Sequence, residues 1–166
     1  KAGGGGDIVT ATPYLNFELK WDWKIGQGGN SGVKYNLPQA NKNVGFEYQL
    51  LDDQKHADRL TASHLTASLY DLIAPAADRK LNPVGEWNES RILVDGTHAE
   101  HWLNGTKVVS FEIGSPELLA LVAKSKYSKT PGFGQKPPRP SCFRITAMKP
   151  PSAISSCANS RQNKPL

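Results

Sequence analysis

Apolar and polar residues alternate with a period of two in several stretches of this chain. The clearest is Asn16–Lys24, where Phe17, Leu19, Trp21 and Trp23 interleave with Asn16, Glu18, Lys20, Asp22 and Lys24. Such a strand buries one face and wets the other. Gly45–Leu51 repeats the pattern, with Phe46, Tyr48 and Leu50 opposite Glu47 and Gln49. The stretch that organises the rest is Glu86–Ile113. It carries two tight-turn dipeptides, Asp95-Gly96 and Asn104-Gly105, between flanks rich in Ile, Val, Trp, Thr and Phe. These residues suit a pleated, half-buried surface, and the dipeptides supply the positive φ of a hairpin turn. The spacing predicts an antiparallel meander over about Asn88–Val94, Thr97–Leu103 and Thr106–Phe111. A meander this apolar needs a second layer, and the rest of the chain must supply it.

The remaining pattern fills that layer. Asp7–Thr12 reads as a short edge strand. Val33–Asn36 reads as a strand after the turn Gly26–Gly29 and the triplet Asn30-Ser31-Gly32, and Leu69–Ile73 as another short one. Thr61–Leu69 has no decided period. Ser115 can cap a helix with Pro116 at its first position, which predicts one short helix over Pro116–Lys124. Lys124 and Lys126 suit its C-terminal dipole end. The sum is an all-β antiparallel sandwich with one short helix. No internal repeat, phosphate loop, dinucleotide fingerprint, nucleophile elbow or paired zinc motif occurs.

Composition changes the picture in the tail. The net charge is +5, but Arg139, Arg144, Lys149, Arg161 and Lys164 all lie beyond Pro137, and no Asp or Glu follows Glu117. Residues 1–136 are therefore neutral, and the basic charge is not a property of the folded surface. That placement argues against a nucleic-acid partner. No apolar run is long enough for a membrane span. Both cysteines, Cys142 and Cys157, lie in the tail, so the body has neither a disulfide nor a cysteine metal site. The sequence leaves a bond between the two open, and the oligomeric state too. The chain opens abruptly on a strand pattern after a glycine run, as though strands ahead of it were missing.

Candidate chemistry begins with the polar loop Asp52–Arg59, which gathers Asp52, Asp53, His56 and Asp58. It reads either as a solvated turn or as a ligand or metal cluster.

A set of short pieces in order carries a family resemblance. They are Phe17-Glu18-Leu19, Asn30-Ser31-Gly32, Phe46-Glu47-Tyr48-Gln49 with Leu51-Asp52, and Leu69-Tyr70-Asp71. Then come Val84-Gly85-Glu86-Trp87-Asn88, Arg91-Ile92, His101-Trp102-Leu103-Asn104-Gly105 and Pro131-Gly132-Phe133-Gly134. In these the chain resembles the 3-keto-disaccharide hydrolase domain family over about Asp7 to Lys136. The resemblance implies a concanavalin-like jelly roll, a secreted or periplasmic setting, and cleavage of 3-keto-disaccharides or 3-keto-glycosides. A 3-keto group acidifies the proton on C2, so a base can drive out the glycosidic oxygen from C1, and water adds back. The route needs a base, an acid and a group that polarises the ketone. It calls for no cofactor, and the sequence leaves a divalent metal open. Two further readings stand beside it: a non-catalytic carbohydrate-binding module, and an inactive form of the enzyme.

The resemblance sets Glu47 as base or sugar ligand and Gln49 as a hydroxyl ligand, against a plain solvated strand face for both. Asp52 and His56 are expected at the rim, and Tyr70 among the substrate-binding residues. His101 is either a groove acid or a satisfied core histidine. Trp87 and Trp102 stack on sugar rings or fill the core. Asn88 binds substrate or fixes a turn, while Asn30 and Ser31 are expected to fix a turn.

The tail Pro137–Leu166 reads as unfoldable: it holds six of the 12 prolines, five positive charges, one aromatic and no period. The resembling family should end here on a strand and turn reading roughly Leu-Leu-Gln-Asp-His-Gly and a last strand reading roughly Phe-Arg-Asn-Ile-Lys. A frame shift recovers both. With suitable third bases, codons for Pro140–Lys149 read from the third base give Ile-Leu-Leu-Gln-Asp-His-Gly-Asp-Glu. Those for Pro150–Ser160 then give Ala-Ala-Phe-Arg-Asn-Ile-Lys-Leu-Arg-Glu-Leu. On this reading residues 1–136 form the sandwich and 137–166 an aberrant, disordered tail. A sheet keeps an unpaired edge, the groove loses a wall, and activity is weak or absent.

Overall fold

The computed structural model describes residues 8–10, 13–37, 44–136, 143–145 and 153–157, the last of these as backbone only. Two antiparallel sheets pack face to face. Strands β1 (Ile8–Val9), β3 (Asn30–Tyr35), β4 (Phe46–Leu51) and β8 (Arg144–Ile145) form one, in the order β1-β8-β3-β4. Strands β2 (Phe17–Lys24), β5 (Asn88–Asp95), β6 (His98–Leu103), β7 (Thr106–Glu112) and β9 (Ala153–Cys157) form the other, in the order β7-β6-β5-β2-β9. The single α-helix among the described residues, α1, spans Pro116–Lys124. Ser115 Oγ accepts from Leu118 N at its start.

The period-two stretches form strands because each buries one side. Phe17, Leu19, Trp21 and Trp23 of β2 face Phe46, Tyr48 and Leu50 of β4 across the core, all nearly inaccessible. Trp21 and Tyr48 meet edge to face at 5.0 Å, and Trp23 Nε1 donates to Ser90 Oγ at 2.8 Å. The meander β5-β6-β7 has the expected turns, with Asn104 and Gly105 both at positive φ. The first turn sits one residue later than expected, on Gly96 and Thr97, because Asp95 still pairs with His98.

Two expectations give way. Leu69–Ile73 is a chain reversal and not a strand: Leu69 bridges singly to Tyr48 and to Ile73, and Asp71 takes a positive φ of 64°. Its apolar residues point inward from a turn. The described parts of the tail also depart from the unfoldable reading. Arg144–Ile145 pairs with β1 and β3, and Ala153–Cys157 pairs with β2. An open strand edge accepts any extended backbone, whatever its side chains. Phe143 adds an apolar anchor, buried against Phe17 at 4.1 Å between ring centroids. Cys142 lies outside the described residues, as do Pro38–Asn43 and most of the tail.

Candidate functional site

Each sheet has an outer face. On the four-stranded sheet the outer face of β3 and β4 carries Asn30, Gly32, Lys34, Glu47 and Gln49, with Gly32 opposite Gln49 and Lys34 opposite Glu47. Gly32 matters here. A Cβ at that position would strike the Glu47 carboxyl, so its absence lets the Glu47 side chain lie across β3. The Asn30-Ser31-Gly32 triplet thus does more than shape a turn.

The loop from Asp52 to Ile73 walls this face. It runs along the edge of β4, where Ala67 N donates to Gln49 O at 2.9 Å and Tyr70 N to Glu47 O at 3.0 Å. Two 3-10 turns, Ala57–Leu60 and Ala62–His64, carry its polar side chains over the sheet. Asn30 Nδ2 donates to Asp58 Oδ2 at 3.4 Å and lies 3.5 Å from His56 Nε2. His56 Nδ1 accepts from Asp58 N at 3.1 Å, which fixes the neutral tautomer with its proton on Nε2. Asn30 Nδ2 is itself a donor, so its approach to Nε2 is a contact, and the Nε2 proton stays available. Tyr70 hydrogen-bonds Asp58 through its hydroxyl, and its ring lies 4.4 Å from the His64 ring and 4.1 Å from Lys126 Nζ.

Glu47 is the centre of this cluster. Its side chain is 14% exposed, and its nearest cation, Lys34 Nζ, is 3.9 Å away. Among the described residues no donor reaches hydrogen-bond distance of the carboxylate. Burial raises its pKa above the ordinary carboxylate value, against the pull of Lys34 and Lys126. Burial, with Asp58, Glu47 and Asp71 nearby, pushes Tyr70 up to about 12.

The structure thus gathers Glu47, Gln49, His56 and Tyr70, and leaves the other expected residues elsewhere. Gln49 is 1% exposed and donates to Asn30 Oδ1 at 3.3 Å, so it orients Asn30 and cannot itself reach a hydroxyl outside. Asp52 is equally buried and serves the loop: it accepts from Gly28 N at 2.7 Å, Gln54 N at 3.0 Å and Lys55 N at 3.1 Å. Burial alone would raise its pKa, but those donors hold it below the usual value. Asp53 likewise holds Thr66 and Arg79. Among the described residues no three His, Cys, Asp or Glu side chains converge as ligands of one metal ion.

His101 is no groove acid. It is fully buried, its Nε2 lies 2.8 Å from Tyr35 Oη, and its Nδ1 donates to Ala67 O at 3.0 Å. Burial lowers its pKa to about 4, so it is neutral at pH 7. Ala67 sits at φ 69°, a left-handed conformation costing roughly 1–2 kcal/mol. His101 therefore pins the strained loop that walls the site. Asn88 and Trp102 belong to the five-stranded sheet, and Trp87 immediately precedes its strand β5. Trp87 is 47% exposed beside Asp22 and Glu89 on its outer side. The Trp102 ring lies 4.8 Å under the Arg91 guanidinium. Asn88 is buried, and its Oδ1 accepts from Asn82 N and Asn104 Nδ2, so it fixes a turn. Two sheets, about 10 Å apart, separate Trp87 and Trp102 from Glu47.

Sequence reasoning named Asp58 with His56 in the polar loop but missed Lys34, His64, Asp71 and Lys126 as members of the cluster. Lys34 was legible, being in phase with Asn30 and Gly32 on an alternating strand. Asp71 and Lys126 were not, because a turn and the segment after α1 bring them in from far along the chain.

These residues all fall within a stretch similar to known proteins. The sequence pattern of a family described as the 3-keto-alpha-glucoside-1,2-lyase-like domain matches residues 1–134. The chain is 32% identical over 143 residues to a 3-keto-disaccharide hydrolase of Bacteroides thetaiotaomicron, taking in 76% of this chain and 49% of that protein. It thus spans about half the length of the curated relative it matches. A crystal structure from Parabacteroides distasonis, described as a glycosyl hydrolase, has a TM-score of 0.69 at 33% identity, covering 89% of this chain and 73% of that one. A carbohydrate-binding module from Bacillus subtilis shares the fold, with a TM-score of 0.52 at 10% identity over 95% of this chain and 82% of that one. The family pattern takes in both sheets' central strands, the loop over β4 and every residue of the Glu47 cluster, and the chain belongs to the 3-keto-alpha-glucoside-1,2-lyase-like domain family.

Proposed function

We propose that this chain cleaves 3-keto-glycosides, including 3-keto-disaccharides, at the Glu47 cluster by elimination followed by hydration. The observation that carries this reading is the Glu47 carboxylate itself: mostly buried, raised in pKa, and without a hydrogen-bond donor. A carboxylate in that condition is a stronger base than a solvated one and has room for a proton. Glu47 takes the proton from C2 of the sugar. The C2–H electron pair forms an enolate with the 3-keto group. The enolate collapses to a C1–C2 double bond, and the glycosidic oxygen leaves C1 with its electron pair. The proton that Glu47 has taken passes to that oxygen and restores the carboxylate, while His56 Nε2–H, which no described residue accepts, can donate a hydrogen bond to it. Water then adds across the double bond, hydroxyl to C1 and proton to C2. Asn30, held by Gln49, and Tyr70, held by Asp58, are placed to orient hydroxyls.

The test is incubation with a 3-keto-glucoside and with its parent glucoside. Cleavage of the keto form alone is expected. Glu47→Gln should lower that rate by on the order of 10²–10⁴, the usual worth of a general base, with an unchanged circular dichroism spectrum. Unchanged turnover removes Glu47 from the mechanism. Binding without turnover by the wild type assigns the chain to the non-catalytic carbohydrate-binding class instead.

A further inference from the structure

Lys126 lies just beyond α1, and three contacts fix its backbone and neighbours. Lys126 N donates to Asp71 Oδ2 at 2.9 Å. Asp71 also takes His64 Nε2 at 3.1 Å on its other oxygen. The next residue, Tyr127, is buried and stacks on Phe133 at 4.0 Å, which anchors the turn in the core. From this fixed base the side chain extends over the Tyr70 ring, with Nζ 4.1 Å from its centroid and 5.1 Å from that of Tyr127. Aromatic faces attract an ammonium but accept none of its protons in ordinary hydrogen bonds.

The Lys126 ammonium has no hydrogen-bond acceptor among the described residues, although Glu47 and Asp71 lie close enough to act on it electrostatically. Glu47, on the other side of Tyr70's backbone contact with β4, has no donor. The Glu47 carboxylate and the Lys126 ammonium act on each other electrostatically beside Tyr70, and neither is closed by a hydrogen bond among the described residues, so a base and a donor stand near one tyrosine. Burial lowers the pKa of Lys126, which brings its proton nearer to use at neutral pH.

Resting on the reading of Glu47 as the base, we infer that Lys126 is a further catalytic residue, whose ammonium holds the oxygen of the substrate's 3-keto group. The chemistry needs such a group. C2 and C3 are adjacent, so the proton acceptor and the oxyanion donor must stand on one small patch. As Glu47 takes the proton from C2, the electron pair moves into the C2–C3 bond and the carbonyl pair onto oxygen. A positive charge already in place there stabilises the enolate without reorganisation. The pair then returns to oxygen's carbon as the glycosidic oxygen departs. Lys126 thus also supplies selection: a parent glucoside presents a hydroxyl at C3, develops no charge there, and gains nothing from the ammonium.

The test separates enolate formation from bond cleavage. In D2O, loss of the C2 proton signal of a 3-keto-glucoside by NMR reports the first step, and released aglycone reports the second. Lys126→Met should slow both by on the order of 10²–10³, the usual worth of one oxyanion donor. KM should shift by no more than a few-fold, and p-nitrophenol as a better leaving group should not restore the rate. Lys126→Gln, which keeps a polar end, serves if the methionine variant unfolds, and Lys126→Arg should recover part of the exchange rate. Exchange at C2 in folded Lys126→Met or Lys126→Gln equal to wild type overturns the role of Lys126 while leaving Glu47 standing. Wild-type protein that neither exchanges nor cleaves overturns the reading of Glu47, and the role of Lys126 with it.

Discussion

Glu47 and Glu100 invite comparison. Each projects from the outer face of a strand, one on each sheet, and their side chains are 14% and 11% exposed. Their surroundings differ. Glu100 takes Trp102 Nε1 at 2.8 Å, His98 Nε2 at 3.1 Å and Lys107 Nζ at 3.1 Å. Burial would raise its pKa, but those donors hold it at about 2. Glu47 has none, and burial wins. A carboxylate satisfied by its neighbours is part of the fabric. One left unsatisfied in a half-closed site costs stability, and its place in the fold needs another reason. The two carboxylates differ because the Asp52–Ile73 loop walls the face around Glu47, while residues of its own and the adjacent strand satisfy Glu100.

The comparison breaks most readily at Gly32. Gly32→Ala places a methyl group where the Glu47 carboxyl lies. The strand tolerates alanine, so the fold should survive while the carboxyl moves by about an ångström. A displacement of that size in a reacting group costs about 100-fold. The expected result is a loss of about that size in kcat/KM on a 3-keto-glucoside, with wild-type thermal unfolding. An equivalent change on the other face, Leu93→Ala, should leave turnover intact. Full activity in Gly32→Ala would mean that the position of Glu47 is not what the site depends on.

The difference between the faces was only half legible in the sequence. Alternation in Asn16–Lys24 and Gly45–Leu51, and the Asn104-Gly105 turn, sufficed for both sheets and the meander, because period two and turn chemistry are local. The same alternation placed Glu47 and Gln49 on one face. It could not tell that Gln49 would be sealed under the loop, or that Asp52 would turn its carboxylate onto backbone amides. Those depend on where Ala57–Leu60 and Tyr70 come to rest. His101 shows the limit most clearly. A histidine between two alternating neighbours reads equally as core or groove, and only the hydroxyl of Tyr35 and the carbonyl of Ala67 decide it. Trp102 escaped the core because its strand phase faces outward, and Trp87 because it lies just ahead of β5, neither of which bulk and apolarity alone report.

His101 offers the next test, since it ties the meander to the loop that walls the site. His101→Leu leaves Tyr35 Oη and Ala67 O without partners, at a cost of about 2 kcal/mol. The wild type should also weaken as pH falls. The histidine's pKa is about 4 when folded and 6.5 in its ordinary state, so the unfolded chain binds the proton first. Stability is therefore lost between about pH 6.5 and 4, and the leucine variant should lack that part of the loss. Denaturant unfolding across this range measures both. Equal stability of the two proteins at pH 7 would place His101 outside the support of the loop.

The smallest effect returns to the two glutamates and turns on sign. The folded pKa of Glu100 lies below its ordinary 4.5, so its carboxylate stabilises the protein above pH 4.5, and the contribution fades as pH falls toward 2. Glu100→Gln should thus be less stable at pH 7, by about 1 kcal/mol once screening at the sheet surface is allowed for. That deficit should close on acidification. Glu47 runs the other way. Its folded pKa is raised, so the carboxylate costs stability at every pH above that value, and the cost vanishes below 4.5. Glu47→Gln should therefore be more stable than wild type at pH 7 and lose that advantage in acid, even as it loses catalysis. Stabilisation by removing a reactive group is the usual mark of a site kept for function. Matched unfolding curves of the two variants from pH 7 to pH 3 should diverge from wild type in opposite directions. Two curves displaced to the same side would mean that Glu47, like Glu100, is satisfied by its neighbours.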